Sequence, residues 1–269
     1  MMNPEQGRPA APGAVPRPGH GLLRGRTALV TAAAGTGIGG AAARRLLEEG
    51  ARVVVSDAHE RRLAECERAL AAEFGADRVA AVRCDVTDEE HVQAAFDAAE
   101  RRFGPPDVVV NNAGLGGTAP LAEMEDAEWS RVLEVTLTGT MRCTRAAMRR
   151  MVPRGGGAVV NNASVLGWRA QPGQAHYAAA KAGVMALTRC AAMEAAPHGV
   201  RINAVAPSLA VHENLAKSAP AELLEELARR EAFGRAAEPW EVANVIVFLA
   251  SDYASYMTGE VVPVSSQRA

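Results

Sequence analysis

The chain is 269 residues long, 48% hydrophobic and 22% charged, with a formal net charge of -2 at pH 7. This length suits one large core, and so balanced a charge offers neither a basic face for nucleic acid nor a charged block for a membrane surface. The four cysteines, Cys66, Cys84, Cys143 and Cys190, have neither metal-ligand nor redox spacing, so no metal and no disulfide are expected, only reduced thiols in a cytoplasmic protein.

Residues 1–20 carry Pro4, Pro9, Pro12, Pro16 and Pro18 without an apolar run, which predicts a disordered tail rather than a signal peptide. No run of about 18 strongly apolar residues follows, so no membrane span is expected. From Thr27 onward short apolar runs alternate with longer amphipathic ones. The pattern predicts strands over 27–32, 52–56, 78–83, 107–111, 157–163, 200–205 and 260–264, and helices over 38–49, 60–74, 88–102, 126–151, 175–196 and 239–251. Runs such as Val53-Val54-Val55 and Val108-Val109-Val110 are apolar on both faces, as strands of a parallel sheet covered by helices must be. The expectation is α/β: one doubly wound parallel sheet of about seven strands, in a single domain over 21–269.

In such a sheet ligands bind at the carboxyl ends of the strands. The first of these ends runs Thr31-Ala-Ala-Ala-Gly35-Thr36-Gly37-Ile38-Gly39-Gly40 straight into a predicted helix. Glycines there let the backbone approach a pyrophosphate, which the helix N-terminus stabilises. Asp57 ends the second strand, 18 residues past Gly39, where a carboxylate accepts from an adenosine ribose and repels a 2'-phosphate. That favours NAD. The competing role for Asp57 is a helix cap, and His59, Arg61 and Arg62 nearby leave NADP open. Cys84-Asp85-Val86 and Asn111-Asn112-Ala113-Gly114 follow the third and fourth strands as polar turns at the mouth of the sheet, where either is also an ordinary turn.

Ser164 closes the fifth strand, and Tyr177 and Lys181 lie four apart in an alanine-rich helical stretch, so they share one face. A free tyrosine has a pKa of about 10, and a fixed ammonium beside it stabilises the phenolate and lowers that value. Ser164 can hold a substrate oxygen by the phenol, which makes the trio an acid/base site. On its own, Tyr-x-x-x-Lys is more often a surface helix carrying two incidental residues, because the pattern is short and both residues are common.

Together the glycine loop, Asp85, Asn111-Asn112-Ala113-Gly114, Ser164, Tyr177-x-x-x-Lys181 and Asn203-Ala-Val-Ala-Pro207 resemble the short-chain dehydrogenase/reductase family over about 21–266. The resemblance implies a Rossmann-type fold and hydride transfer between a nicotinamide dinucleotide and a small-molecule secondary alcohol or ketone. It implies Tyr177 as acid/base, Lys181 as the charge that lowers its pKa and binds the nicotinamide ribose, and Ser164 as the group orienting the substrate oxygen. The implied cofactor contacts are Gly35, Thr36, Gly37, Ile38, Gly39, Asp57, Asp85, Val86, Asn112, Ala113, Gly114, Tyr177, Lys181 and Pro207. A homotetramer or homodimer formed through the helices at 126–151 and 175–196 is implied as well.

Four departures from the family pattern stand out. The loop from Thr31 to Gly37 is one residue longer than usual, and alanine at 32 or 33 replaces its first glycine. Thr136 stands where an asparagine normally helps hold a relay water, so proton relay to Lys181 is expected to use water held differently. Pro207 is followed by Ser208, with His212 as either a cofactor or substrate contact or a solvated loop residue. The chain ends Val264-Ser265-Ser266-Gln267 in place of an acidic-glycine ending. Residues 161–171 and 234–241 are most similar to actinobacterial 3-oxoacyl-thioester-reductase-like members, including dehydrogenases of hydroxylated ring-CoA intermediates of steroid breakdown. Trp168, Leu209 and Leu215 are candidates for an apolar substrate pocket and Arg169 for an acid or phosphate contact; packing and exposure explain them equally well. The Thr136 substitution also motivates a competing reading, a dinucleotide-binding sensor or partner-binding protein with impaired catalysis.

Overall fold

A computed structural model of the chain describes residues 15, 16, 18–211 and 221–266. The predicted tail therefore lies mostly outside the described residues, as do His212 and Leu215. Seven strands form one parallel sheet in the order β3-β2-β1-β4-β5-β6-β7. They are β1 (Thr27–Val30), β2 (Arg52–Asp57), β3 (Val79–Arg83), β4 (Val108–Asn111), β5 (Gly157–Asn162), β6 (Val200–Pro207) and β7 (Val261–Val264). The helices are α1 (Ile38–Glu48), α2 (Glu60–Phe74), α3 (Glu89–Phe103), α4 (Asp126–Leu133), α5 (Gly139–Met151), α6 (Ala175–Ala195), α7 (Ala221–Arg229) and α8 (Pro239–Ala250).

Each strand divides its side chains between two cores because successive residues point to opposite faces. Ala28, Val30, Val53, Val55, Val108 and Val110 pack with Leu46 of α1 and Ile246 of α8. Leu29, Val54, Val109, Val159 and Ile202 pack with Phe96 of α3, Ala147 of α5 and Ala192 of α6 on the other side. Chain order reverses between β1 and β4, which pair directly, so the carboxyl ends of these two strands open a crevice.

Several boundaries differ from the sequence reading for local reasons. β1 stops at Val30 because Ala32 takes φ +50, the one positive φ outside glycine among the described residues. β6 runs on to Pro207 because β7 continues to pair with it, Pro207 opposite Val264. Pro263 is tolerated in β7, an edge strand with a free side. The predicted helix over 126–151 is broken by a π-helical turn, Glu134–Thr138. The segment 221–229, which no predicted helix covers, is α7.

Candidate active site

All the strand ends singled out in the sequence lie on one edge of the sheet. At β1 the chain turns through Ala32, which resolves the position of the missing first glycine, and Ala33 donates its N–H to the Ser56 carbonyl at 2.9 Å. Gly35 takes φ +141 with nothing within 4 Å of where a Cβ would stand, so bare backbone faces open space. Gly37 caps α1 without any side-chain hydrogen bond, and the first turn of α1 carries no acidic residue, leaving its N–H groups suited to an anion. Gly39 has a different task. A Cβ there would lie 2.4 Å from the Ala32 carbonyl oxygen and from Asn112 Nδ2, so this glycine lets α1 pack against the loop. The cradle fits a dinucleotide pyrophosphate.

Asp57 is buried at the end of β2. Its Oδ2 accepts the Ala34 N–H at 3.3 Å, its Oδ1 accepts the His59 N–H at 2.9 Å, and Arg62 Nη2 stands 3.7 Å from Oδ1. The α2 cap is His59, not Asp57. Asp85 turns its carboxylate onto the hydroxyl and N–H of Thr87, and the Thr87 hydroxyl holds its pKa below the ordinary carboxylate value. The Val86 side chain is buried against Gly139, where a Cβ would come within 2.6 Å of it, so only its backbone edge can meet a ligand.

Thr31 Oγ1 accepts the N–H groups of Asn112 and Ala113, and Asn112 Nδ2 donates to the carbonyls of Thr31 and Ala32. Asn162 Nδ2 donates to Asn112 Oδ1 at 2.9 Å, tying β5 to the same knot. Gly114 passes close to Lys181: a Cβ there would lie 3.4 Å from Nζ.

The structure brings Ser164, Tyr177 and Lys181 together. Ser164 is buried just past β5, and Tyr177 and Lys181 share one face of α6. Although Tyr177 is only half-buried, withdrawal of its phenol from water pushes its pKa up to about 12, and a hydrogen bond with Ser164 pulls it back in part. Lys181 is 3% exposed, and burial lowers its pKa to about 8. Its ammonium donates to the Asn162 carbonyl and lies 5.5 Å from the centre of the Tyr177 ring. Burial thus raises the pKa of the phenol in this state, opposite to the shift expected from the sequence. Asn162 was not legible in advance, because its contribution is a backbone carbonyl.

Thr136 uses its hydroxyl on the backbone. Its hydroxyl accepts the Leu115 N–H at 2.9 Å and donates to the Leu115 carbonyl at 3.1 Å, so it pins the loop after β4 and has no proton left to relay. Its own carbonyl accepts from Thr140 Oγ1 at 2.8 Å. Pro207 ends β6 on the ligand edge. Trp168 is exposed and Arg169 half-buried; the Arg169 N–H donates to the Val165 carbonyl at 2.9 Å, and its guanidinium makes no hydrogen bond or ion pair among the described residues. Neither lines the open recess of about 550 Å³ between the loops after β4 and β5, which is walled by Pro120, Leu121, Ala170, Pro172, Ala175 and Ala178 among others. Leu209 is half-buried, its carbonyl bound to the Ala237 N–H.

A family model described as enoyl-(acyl carrier protein) reductase matches residues 32–266. The chain is 64% identical over 251 residues, covering 93% of it and 95% of the relative, to the (5R,7aS)-5-hydroxy-7a-methyl-1-oxo-2,3,5,6,7,7a-hexahydro-1H-indene-carboxyl-CoA reductase of Mycobacterium tuberculosis. It is 46% identical over 240 residues, 89% of the chain and 94% of the relative, to the cis-4-hydroxycyclohexanecarboxylate dehydrogenase of Sinomonas cyclohexanicum. The crystal structure of a short chain dehydrogenase from Mycobacterium smegmatis superposes with a TM-score of 0.83 at 60% identity, covering 96% of this chain and 98% of that one. With the sheet order, the cradle and the Ser164–Tyr177–Lys181 cluster, these matches make the chain a member of the short-chain dehydrogenase/reductase family, an oxidoreductase that interconverts an alcohol and a ketone with a nicotinamide dinucleotide.

Proposed function

We propose that the substrate is a secondary alcohol, or its ketone, on a carbocyclic ring that bears a carboxylate or its CoA thioester, and that the preferred dinucleotide is NAD. The observation that carries the reading is the convergence of Ser164, Tyr177 and Lys181 beside a cradle suited to a pyrophosphate. The ring acid is supported by the names of the two relatives above and by the apolar walls of the recess next to α6.

The dinucleotide, when bound, supplies the hydride donor or acceptor. Ser164 Oγ hydrogen-bonds the substrate oxygen and holds it beside the phenol. Tyr177 gives its proton to a ketone oxygen or takes one from an alcohol. With its pKa near 12 the phenol keeps its proton at neutral pH, which suits the resting site to ketone reduction; oxidation draws on the phenolate and gains as pH rises. Lys181, fixed by the Asn162 carbonyl, favours the phenolate when it forms and keeps further N–H groups for a ribose hydroxyl. Asp57, buried and negative, accepts ribose hydroxyls and repels a 2'-phosphate. We extend the reading to a cytoplasmic homotetramer or homodimer joined through α5 and α6, where Met193 stands 78% exposed on α6.

The test is NADH-dependent reduction of 4-oxocyclohexanecarboxylate by the purified chain, with NADPH run in parallel. Tyr177→Phe is expected to lower kcat by about 100- to 10,000-fold. Turnover near the wild-type rate would overturn the acid/base assignment, and a preference for NADPH would overturn the role of Asp57. Binding of NADH without oxidation by any ketone would favour the sensor reading.

A further inference from the structure

α6, which carries Tyr177 and Lys181, begins without an ordinary cap. Its N-cap, Gln174, makes no side-chain bond to the helix and spends its amide on the loop after β4, donating to the Gly117 carbonyl at 2.6 Å and to Thr118 Oγ1 at 2.9 Å. The N–H of Tyr177, in the first turn, has no intrahelical acceptor. His176 supplies one: its Nδ1 accepts that N–H at 2.9 Å. His176 is wholly buried, and its Nε2 lies 3.3 Å from Glu128 Oε1 on α4. Since Nδ1 accepts, the ring proton belongs on Nε2 and points at the carboxylate. The space for this contact depends on Gly117, where a Cβ would lie 2.7 Å from Glu128 Oε1 and 2.9 Å from His176 Nε2.

We infer that His176 and Glu128 form a positioning pair for the acid/base tyrosine: Glu128 sets the tautomer and ring angle of His176, and His176 caps the first turn of α6 so that the phenol of Tyr177 meets Ser164. Glu128 thereby couples α4 and the glycine loop at 116–117 to the reacting end of α6. The pair touches neither substrate nor dinucleotide; it acts through the backbone of Tyr177. Small displacements of an acid/base cost rate steeply, so the pair governs kcat more than cofactor affinity.

The inference rests on Tyr177 being the acid/base, and the test separates the two. In the assay with NADH and 4-oxocyclohexanecarboxylate, Glu128→Ala and His176→Asn, whose Oδ1 keeps the cap acceptor but cannot reach α4, are expected to lower kcat by about tenfold. NADH affinity, read by fluorescence titration, stays within about twofold of wild type because the pyrophosphate loop belongs to β1 and α1, whereas the pair joins α4 and α6. Glu128→Gln, which still offers an oxygen to Nε2, recovers most of the loss, and the double variant is no worse than either single one. Full kcat in Glu128→Ala, or a fall in kcat matched by lost NADH binding, would overturn the inference. Turnover surviving in Tyr177→Phe would instead overturn the acid/base reading. A readout without turnover is the alkaline absorbance titration of Tyr177, isolated by subtracting Tyr177→Phe: its pKa, held above the ordinary tyrosine value by burial, shifts in Glu128→Ala as the phenol leaves its place beside Ser164. An unmoved titration would count against the pair.

Discussion

Lys181 holds a charge where a charge is disfavoured. Its ammonium is buried with one carbonyl partner described, and desolvation takes its pKa from an ordinary 10.5 to about 8. Below pH 8 the residue is protonated folded and unfolded, so the whole burial penalty opposes folding; above about 10.5 it is neutral in both and the penalty is gone. At about 1.36 kcal/mol per pKa unit the penalty is of the order of 3 kcal/mol. Lys181→Met is therefore expected to abolish turnover yet raise the melting temperature at pH 7, with the gain shrinking between pH 8 and 10. Calorimetry of the two proteins across that range checks the sign. Tyr177 does not confuse the measurement: its pKa is raised, so its phenol stays protonated in the folded state throughout and loosens only in the unfolded chain near the top of the range.

The π-helical turn between α4 and α5 shows how an element, rather than a residue, prepares the site. Gly139 lies so close to Val86 that a Cβ would come within 2.6 Å of it, and the widened turn lets Thr136 meet Leu115 with both halves of its hydroxyl. Thr136→Val keeps the shape and removes the hydroxyl, leaving the Leu115 N–H and carbonyl without their partner. The expected cost is about 1–2 kcal/mol in urea unfolding, with a lowered kcat as the loop over the site loosens. Thr136→Ser, which keeps the hydroxyl, should restore most of both. The Tyr177-x-x-x-Lys181 spacing foretold one face of α6, but a regular helical period over 126–151 concealed the wide turn. An inserted residue leaves the composition helical and shows only in where the side chains point.

Across the whole molecule, the sheet is anchored at the far edge from the ligands by Glu49. This carboxylate is fully buried; it accepts the N–H groups of His20 and Leu22 and pairs with Arg45 at 2.8 Å. Glu49→Ala strands these groups and is expected to lower stability by about 3 kcal/mol, with little effect on KM; chemical unfolding and steady-state kinetics separate the two. The alternation of apolar runs, the glycine loop and the order of Ser164, Tyr177 and Lys181 were enough to determine the sheet and to place these three residues together at the carboxyl ends of its strands, because strand period, tight turns and helix faces are local properties of the chain. Ala32 in place of the first glycine, Asn162 as the partner of Lys181, Thr136 bound to Leu115, and the His176–Glu128 pair were decided by tertiary structure. Each depends on residues from separate elements meeting, or on a backbone group that every residue carries alike. The direction of the pKa shifts belongs to the same class: sequence can put a lysine beside a tyrosine, but only the packed site decides how much water is taken from both.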